Sequence, residues 1–186
     1  MKLSLSGSII YNMTLPPQSE LIQKGLLPYR GPGKPYECND TEVESTFLFS
    51  DRRFVLWQAF KLWRKECQST FGDCRFLVNG SFVTSKKEPH DIDVAFLVNK
   101  TNFESSDPQS ILQLTTQFRM LDRIIYRVQP FGGMLDAFAI ACKDVTNATF
   151  DDPALKSWDE LWSRVNESKH YLNTDETSKG YLEVKK

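Results

Sequence analysis

The sequence predicts a single α/β domain with a mixed central sheet flanked by helices, and three observations support this. Its 186 residues suffice for one domain with a substantial core. Three short apolar runs, at 75–79, 91–98 and 134–142, have the length and composition of buried strands. Around them, apolar residues recur at three- and four-residue spacing, which is typical of helices that pack on a sheet.

The amino-acid composition excludes some classes of function. Hydrophobic residues make up 40% of the chain and the formal net charge is −1, so a bulk nucleic-acid coat protein is excluded. Four cysteines without a Cys-x-x-Cys pair, and only two histidines, give no zinc framework. Cys67 and Cys142 lie in apolar patterns and are predicted to be small core residues in a reducing compartment, with a hidden disulfide as the alternative.

The N-terminal segment is predicted to be an extended arm. Residues 1–12 are too weakly apolar for a signal peptide and too short to span a bilayer, which favours a cytoplasmic protein without a membrane partner. A first strand over 2–11 and an alternative start at Met13 both fit the sequence. Residues 1–45 are therefore expected to pack on a domain formed by residues 46–186, with Ser19 capping a short helix.

A long helix is predicted from Ser50, a good N-cap residue, to the helix-breaking Gly72. Its apolar positions are Phe54, Trp57, Phe60, Leu62, Trp63 and Cys67. Its basic residues are Arg52, Arg53, Lys61, Arg64 and Lys65. We expect this basic face to be solvated, and the alternative is a surface for RNA or another acidic partner.

The later part of the chain is predicted to continue as helices and one last strand. Apolar residues at helical spacing from Pro108 to Pro130 indicate one helix that contains Asp122. On it Arg119, Arg123 and Arg127 form a basic stripe, either solvated or facing a triphosphate or nucleic acid. A further helix begins after Asp151-Asp152 at Pro153, a mobile loop spans 166–178, and Tyr181–Val184 forms an edge strand.

The candidate site lies between the first two apolar runs. Strand alternation sends Asp91 and Asp93 to one face, and two adjacent carboxylates are costly unless a cation lies between them. A hard ion such as Mg²⁺ is the favourable occupant. Gly80 lets the backbone approach a ligand closely, and a helix opened by Ser81 would favour a phosphate.

This arrangement resembles the nucleotidyltransferase superfamily in its small bacterial form. The resemblance rests on Gly-Ser-Phe-Val-Thr-x-Lys from Gly80, followed by Pro-x-Asp-Ile-Asp from Pro89, and on the Leu-Pro-Pro opening at Leu15. The commoner pattern has Arg and Gly after the Gly-Ser turn and Ser before the first Asp, whereas this chain has residues 83–87 and His90 there, so phosphate binding is expected to depend on Lys86 or Lys87. Their other interpretation is a solvated loop.

The resemblance implies a third carboxylate on a later strand, and Asp136 is the acid with suitable apolar flanks. The implied reaction is transfer of a nucleoside monophosphate from a nucleoside triphosphate to a hydroxyl group. Asp91, Asp93 and Asp136 would hold Mg²⁺ or Mn²⁺, and Gly80, Ser81, Lys86 and Lys87 would bind the nucleotide. The implied acceptor is a protein or tRNA, with a cognate toxin or antitoxin partner or a role in phage defence. The alternative is a catalytically degenerate fold that acts as an antitoxin, adaptor or nucleotide sensor.

Overall fold

The computed structural model describes residues 15–165 and 177–185. The strands are β1 (Tyr36–Cys38), β2 (Cys74–Asn79), β3 (Ile92–Asn99), β4 (Gln117–Leu121), β5 (Ile124–Val128), β6 (Leu135–Cys142) and β7 (Leu182–Val184). The helices are α1 (Gln18–Lys24), α2 (Asp40–Phe47), α3 (Asp51–Phe71), α4 (Lys100–Ser105), α5 (Pro108–Leu114), the single turn α6 (Pro130–Gly133) and α7 (Pro153–Trp162). The predicted mixed sheet flanked by helices is confirmed. The strand expected over 2–11 lies outside the described residues.

Five of the strands form one mixed sheet in the order β1-β7-β2-β3-β6. β3 pairs antiparallel with β2 and parallel with β6, and β1 pairs parallel with β7. β7 pairs with β2 on its other side, so it lies inside the sheet and the prediction of an edge strand is wrong. That position depends on pairing between distant segments, which local patterns do not encode.

Each face of the sheet is covered by a hydrophobic core. Helices α2 and α3 pack on one face, where Trp57, Phe60 and Trp63 are fully buried against Phe76 and Phe96. Helix α7 covers the other face through Leu155 and Trp162, which pack on Leu77 and Leu97. Among the described residues, no helix is both long enough and apolar enough to cross a membrane.

Helices α1 and α3 differ in how they are capped. Ser50 caps α3 by accepting a hydrogen bond from the Arg53 backbone, as predicted, and Gly72 ends the helix with a positive φ. The short helix α1 begins at Gln18 after Pro17 and has no side-chain cap, so the expected role of Ser19 is wrong. The boundary proposed at residue 45 stays a prediction, although β1, which precedes it, belongs to the central sheet.

The largest error of the sequence prediction concerns residues 115–128. In place of one helix, the chain forms the β-hairpin β4–β5, a two-stranded sheet of its own. Asp122 and Arg123 form its two-residue turn with φ values of 49° and 67°. Arg119, Arg123 and Arg127 therefore do not form a helical stripe, and Asp122 is not in a helix.

The prediction that Cys67 and Cys142 are core residues is confirmed. All four cysteines are free, and Cys67 and Cys142 are buried in the two cores. Burial raises the pKa of the Cys67 thiol far above its ordinary value, so this group is an inert core residue.

Candidate active site

Three aspartates lie at one end of the sheet, on the face that α7 covers. Asp93 in β3 is in register with Asp136 in β6, and Asn79 in β2 is in register with Asp93 on its other side. Residues in register project to the same face of a sheet, so the side chains of Asn79, Asp93 and Asp136 form a row across three strands. Asp91 stands two residues before Asp93, directly ahead of β3.

Gly80 follows β2 and begins the motif loop, which is the segment 80–91 between β2 and β3. Its φ is +79°, and a Cβ atom there would overlap the carboxylate of Asp93. The glycine is therefore required both by the backbone conformation and by the space that Asp93 occupies. The predicted close approach at Gly80 is made by Asp93, a residue of the candidate site itself.

Ser81 does not open a full helix. It lies in the single 3₁₀ turn Gly80–Val83, which is too short to provide the helix dipole expected for phosphate binding. The Ser81 carbonyl accepts hydrogen bonds from Thr84 and from Arg53. These bonds fix the turn directly beside Gly80.

Arg53 holds the motif loop in place. Although the sequence suggested a solvated residue, its side chain is 0% exposed, so that prediction is wrong. The guanidinium donates hydrogen bonds to the backbone carbonyls of Phe47, Ser81, Phe82, Thr84 and Lys86. Burial lowers its pKa to about 10, which still leaves it charged at neutral pH.

Asp136 is the most deeply buried of the three acids, with 3% of its surface exposed. Its Oδ2 atom contacts Nη1 of Arg127 at 2.8 Å, whereas its Oδ1 atom has no hydrogen-bond partner. Burial raises the pKa of Asp136, and the nearby charge of Asp91 raises it further, while Thr116 and Arg127 act in the opposite direction. A buried carboxylate oxygen without a partner is costly in a folded protein, so Oδ1 is available to accept a hydrogen bond or to bind a ligand.

Asp91 is held by two side chains from the hairpin and the segment that follows it. Its Oδ2 atom accepts a hydrogen bond from Nε2 of Gln129 at 2.8 Å and lies 3.4 Å from Nη2 of Arg127. Arg127 thus contacts Asp91 and Asp136 with its two terminal nitrogens. A single guanidinium occupies the position between two of the three carboxylates.

A cavity of about 650 Å³ opens beside Asp93 and Gly80. Phe138, Trp158 and Trp162 provide aromatic walls. Lys179, which also lines the cavity, is 4% exposed and donates hydrogen bonds to Asn79 Oδ1 and to the Gly80 carbonyl. The volume lies in the range of small-molecule sites, and the composition suits a flat ring with a polar end.

The three aspartates are candidate ligands for a metal ion. Within residues 15–165 and 177–185, no three His, Cys, Asp or Glu side chains are arranged so that they could hold one. The chemistry of the donors nevertheless suits Mg²⁺ or Mn²⁺, because both ions prefer carboxylate oxygens. The unpartnered Oδ1 of Asp136 is one such donor. Asp91, Asp93 and Asp136 therefore offer the kind of donor that a hard divalent ion prefers, but with Arg127 between Asp91 and Asp136 the three side chains do not surround one position.

The remaining predicted residues lie in the loop that follows Gly80. The carbonyls of Lys86 and Lys87 accept hydrogen bonds from Arg53 and Ser50, which fastens this loop to the start of α3. The side chain of Lys87 is exposed. Nucleotide binding by Lys86 and Lys87 stays a prediction.

Sequence reasoning missed several residues of the site. Arg127 was assigned to a helix, and the loop prediction from 166 to 178 gave no reason to look at Lys179 immediately after it. Asn79 ends the first apolar run, and its register with Asp93 is the signal that could have identified it. The part of the loop prediction between 166 and 176 lies outside the described residues.

Comparison with known proteins gives one match. A family model described as "Family of unknown function (DUF6932)" matches residues 12–185. No curated protein and no solved structure matches the chain.

Proposed function

We propose that this chain, which belongs to the DUF6932 family of unknown function, is a metal-dependent nucleotidyltransferase. It would move a nucleoside monophosphate from a nucleoside triphosphate to a hydroxyl group of a protein or tRNA acceptor. The acceptor class comes from the resemblance of the Gly80–Asp93 motif, as does a cellular role in a toxin–antitoxin or phage-defence system.

One observation carries the proposal. Strands β3 and β6 bring Asp91, Asp93 and Asp136 to one end and one face of the sheet, beside a glycine that admits no side chain. Carboxylates from separate segments are costly to gather unless they share a cation. The cavity beside Asp93 adds support, because its aromatic walls offer a surface on which a nucleotide base can stack.

The reaction has a simple balance of atoms. The acceptor oxygen forms a bond to the α-phosphorus, the bond from that phosphorus to the bridging oxygen breaks, and pyrophosphate leaves with the bonding electrons. The proton of the hydroxyl group passes to a base. When bound, Mg²⁺ or Mn²⁺ supplies positive charge that offsets the charge of the polyphosphate.

Asp91, Asp93 and Asp136 would hold the ion, with Gln129 orienting Asp91 through its 2.8 Å hydrogen bond. An ion held there would lower the pKa of the acceptor hydroxyl group, so that water can take its proton. The loop fixed by Arg53 would present backbone groups at Gly80 and Ser81 to the phosphates.

The test is transfer of label from α-labelled nucleoside triphosphates. Wild type with Mg²⁺ or Mn²⁺ is incubated with each of the four nucleotides, with total tRNA and with cell protein, and pyrophosphate release is followed in parallel. We expect labelled acceptor or released pyrophosphate with wild type and none with Asp91→Ala. Lys87→Ala, an exposed change in the motif loop, shows whether that lysine contributes. Absence of transfer in all combinations would reject the enzymatic proposal.

A second candidate function is a non-catalytic member that binds nucleotides or a partner protein. It is favoured by Arg127, which already pairs with Asp91 and Asp136 in the position an ion would take. In that case nucleotide would bind equally well with and without metal, and Asp93→Asn would leave nucleotide affinity unchanged. Calorimetry with and without Mg²⁺ distinguishes the two functions.

A further inference from the structure

The hairpin β4–β5 is attached to the domain in an unusual way. Its strands pair only with each other among the described residues, and every residue from Phe118 to Val128 is exposed. Phe118, Met120 and Ile125 are 62%, 74% and 65% exposed, so little apolar burial holds the hairpin against the body. Arg127 nevertheless reaches back from it to two aspartates of the candidate site.

Arg127 lies closer to Asp136 than to Asp91. Its Nη1 atom lies 2.8 Å from Asp136 Oδ2, and its Nη2 atom lies 3.4 Å from Asp91 Oδ2. The side chains of these acids are 4% and 14% exposed, whereas that of Arg127 is 45% exposed. The cation is thus on the solvent side, where an ion pair is weak and an incoming ion can compete for the same oxygens.

A divalent ion and the guanidinium cannot both use the position between these acids. The two positive charges would repel each other at contact distance, and Asp136 Oδ2 and Asp91 Oδ2 are already engaged by Arg127. The unpartnered Oδ1 of Asp136 shows that the guanidinium leaves part of the donor set unsatisfied. A metal ion has more coordination positions than Arg127 has N–H groups directed at these acids. An ion would therefore satisfy the carboxylate oxygens better than Arg127 does.

We propose that Arg127 is a built-in counter-ion of this site. It holds Asp91 and Asp136 together while no metal is bound, and it leaves when Mg²⁺ or Mn²⁺ binds. Metal binding and the position of the Arg127 side chain are therefore coupled. This inference rests on the metal site of the proposed function, and it does not depend on the transfer reaction.

The test is direct Mn²⁺ binding, measured from the paramagnetic resonance of the free ion in the absence of nucleotide. Arg127→Gln removes the competing charge, so we expect Mn²⁺ to bind about tenfold tighter or more than in wild type. Arg119→Gln is the matched control, because Arg119 lies on the same hairpin with its side chain on the opposite face. It should bind Mn²⁺ as wild type does.

A second measurement follows the fold. Without metal, Arg127→Gln leaves Asp136 with no cation, so its melting temperature should fall below that of wild type. Added Mn²⁺ should raise the melting temperature more in Arg127→Gln than in wild type, because the ion binds the native state without displacing a side chain.

The outcomes separate this inference from the proposed function. If Arg127→Gln binds Mn²⁺ no better than wild type while Asp136→Asn binds it less, the metal site stands and the counter-ion role is wrong. If Arg127→Gln loses triphosphate affinity with unchanged Mn²⁺ binding, Arg127 is a phosphate ligand and the inference is again wrong. If no variant binds Mn²⁺ even with triphosphate present, both the metal site and the inference are rejected.

Discussion

Replacement of Arg53 by methionine should strongly destabilise the protein. Methionine fills similar space but has no donors, so it leaves carbonyls of the motif loop without their partner. Lysine could keep the charge but cannot reach all of these carbonyls, because it has one nitrogen and Arg53 uses three. The expected order of stability is wild type, then Arg53→Lys, then Arg53→Met.

The magnitude can be worked out from the contacts. Arg53 is the donor to five carbonyls, of which that of Ser81 keeps its bonds from Thr84. Each bond to a charged donor contributes about 1.5–3 kcal/mol. Removal of the guanidinium also recovers the several kcal/mol spent on its burial, and some carbonyls will find water. A net loss of about 3–5 kcal/mol remains, a large part of the roughly 5–15 kcal/mol that stabilises a domain.

The assay is urea denaturation followed by far-UV circular dichroism. Lys65→Met is the control, since Lys65 is exposed on the same helix and its substitution should change the free energy of unfolding by only about 0.5 kcal/mol. An Arg53→Met protein within about 1 kcal/mol of wild type, with an unchanged denaturant slope, would show that the loop does not depend on this residue.

Two further predictions concern the site. Asp136→Asn should be at least as stable as metal-free wild type at pH 7, because the raised pKa means that ionising Asp136 costs stability once the pH exceeds that value. The stability advantage of Asp136→Asn should disappear as the pH falls below the ordinary aspartate pKa of 3.8. Melting temperatures measured across this pH range check the prediction. An Asp136→Asn protein that is much less stable than wild type at pH 7 would contradict it. Gly80→Ala should lose about 1–2 kcal/mol from backbone strain and lose Mn²⁺ binding as well, since the new Cβ overlaps Asp93. Gly132→Ala, with φ of +64° and nothing within 4 Å of the new Cβ, should show the strain alone, and equal Mn²⁺ binding in the two variants would contradict the role of Gly80.

The central strands were predictable because their signals are local. The runs that became β2, β3 and β6 are apolar over six to eight residues, and the aspartates in them are conspicuous against that background. The hairpin was missed because Phe118, Leu121, Ile125 and Val128 also fit helical spacing, and its turn lacks glycine. Only the positive φ values of Asp122 and Arg123 reveal a turn there.

Arg53 was misassigned for a different reason, since its charge was given more weight than its position. It precedes Leu56, Trp57 and Phe60 by three, four and seven residues, which places it on the buried stripe of α3. Periodicity alone would have put it inside. The sequence could not identify the hydrogen-bond acceptors of Arg53. These five carbonyls belong to the C-terminal end of α2 and to the motif loop, which lie apart from α3 in the chain.

Both candidate functions use the same aspartates. They differ in whether a metal ion replaces Arg127 between Asp91 and Asp136. An unpartnered buried carboxylate oxygen costs about 1–3 kcal/mol, and asparagine would keep the shape of Asp136 without its charge. A purely structural pairing with Arg127 does not explain that cost, because the pairing uses only Oδ2. An ion or a water molecule that uses Oδ1 would offset it. The hairpin controls the Oδ2 atom of Asp136, since it carries Arg127 and has little apolar contact to hold it in place. If Arg127 gives way to an ion, both oxygens of Asp136 can hold that ion; if it does not, Asp91 and Asp136 remain paired with Arg127.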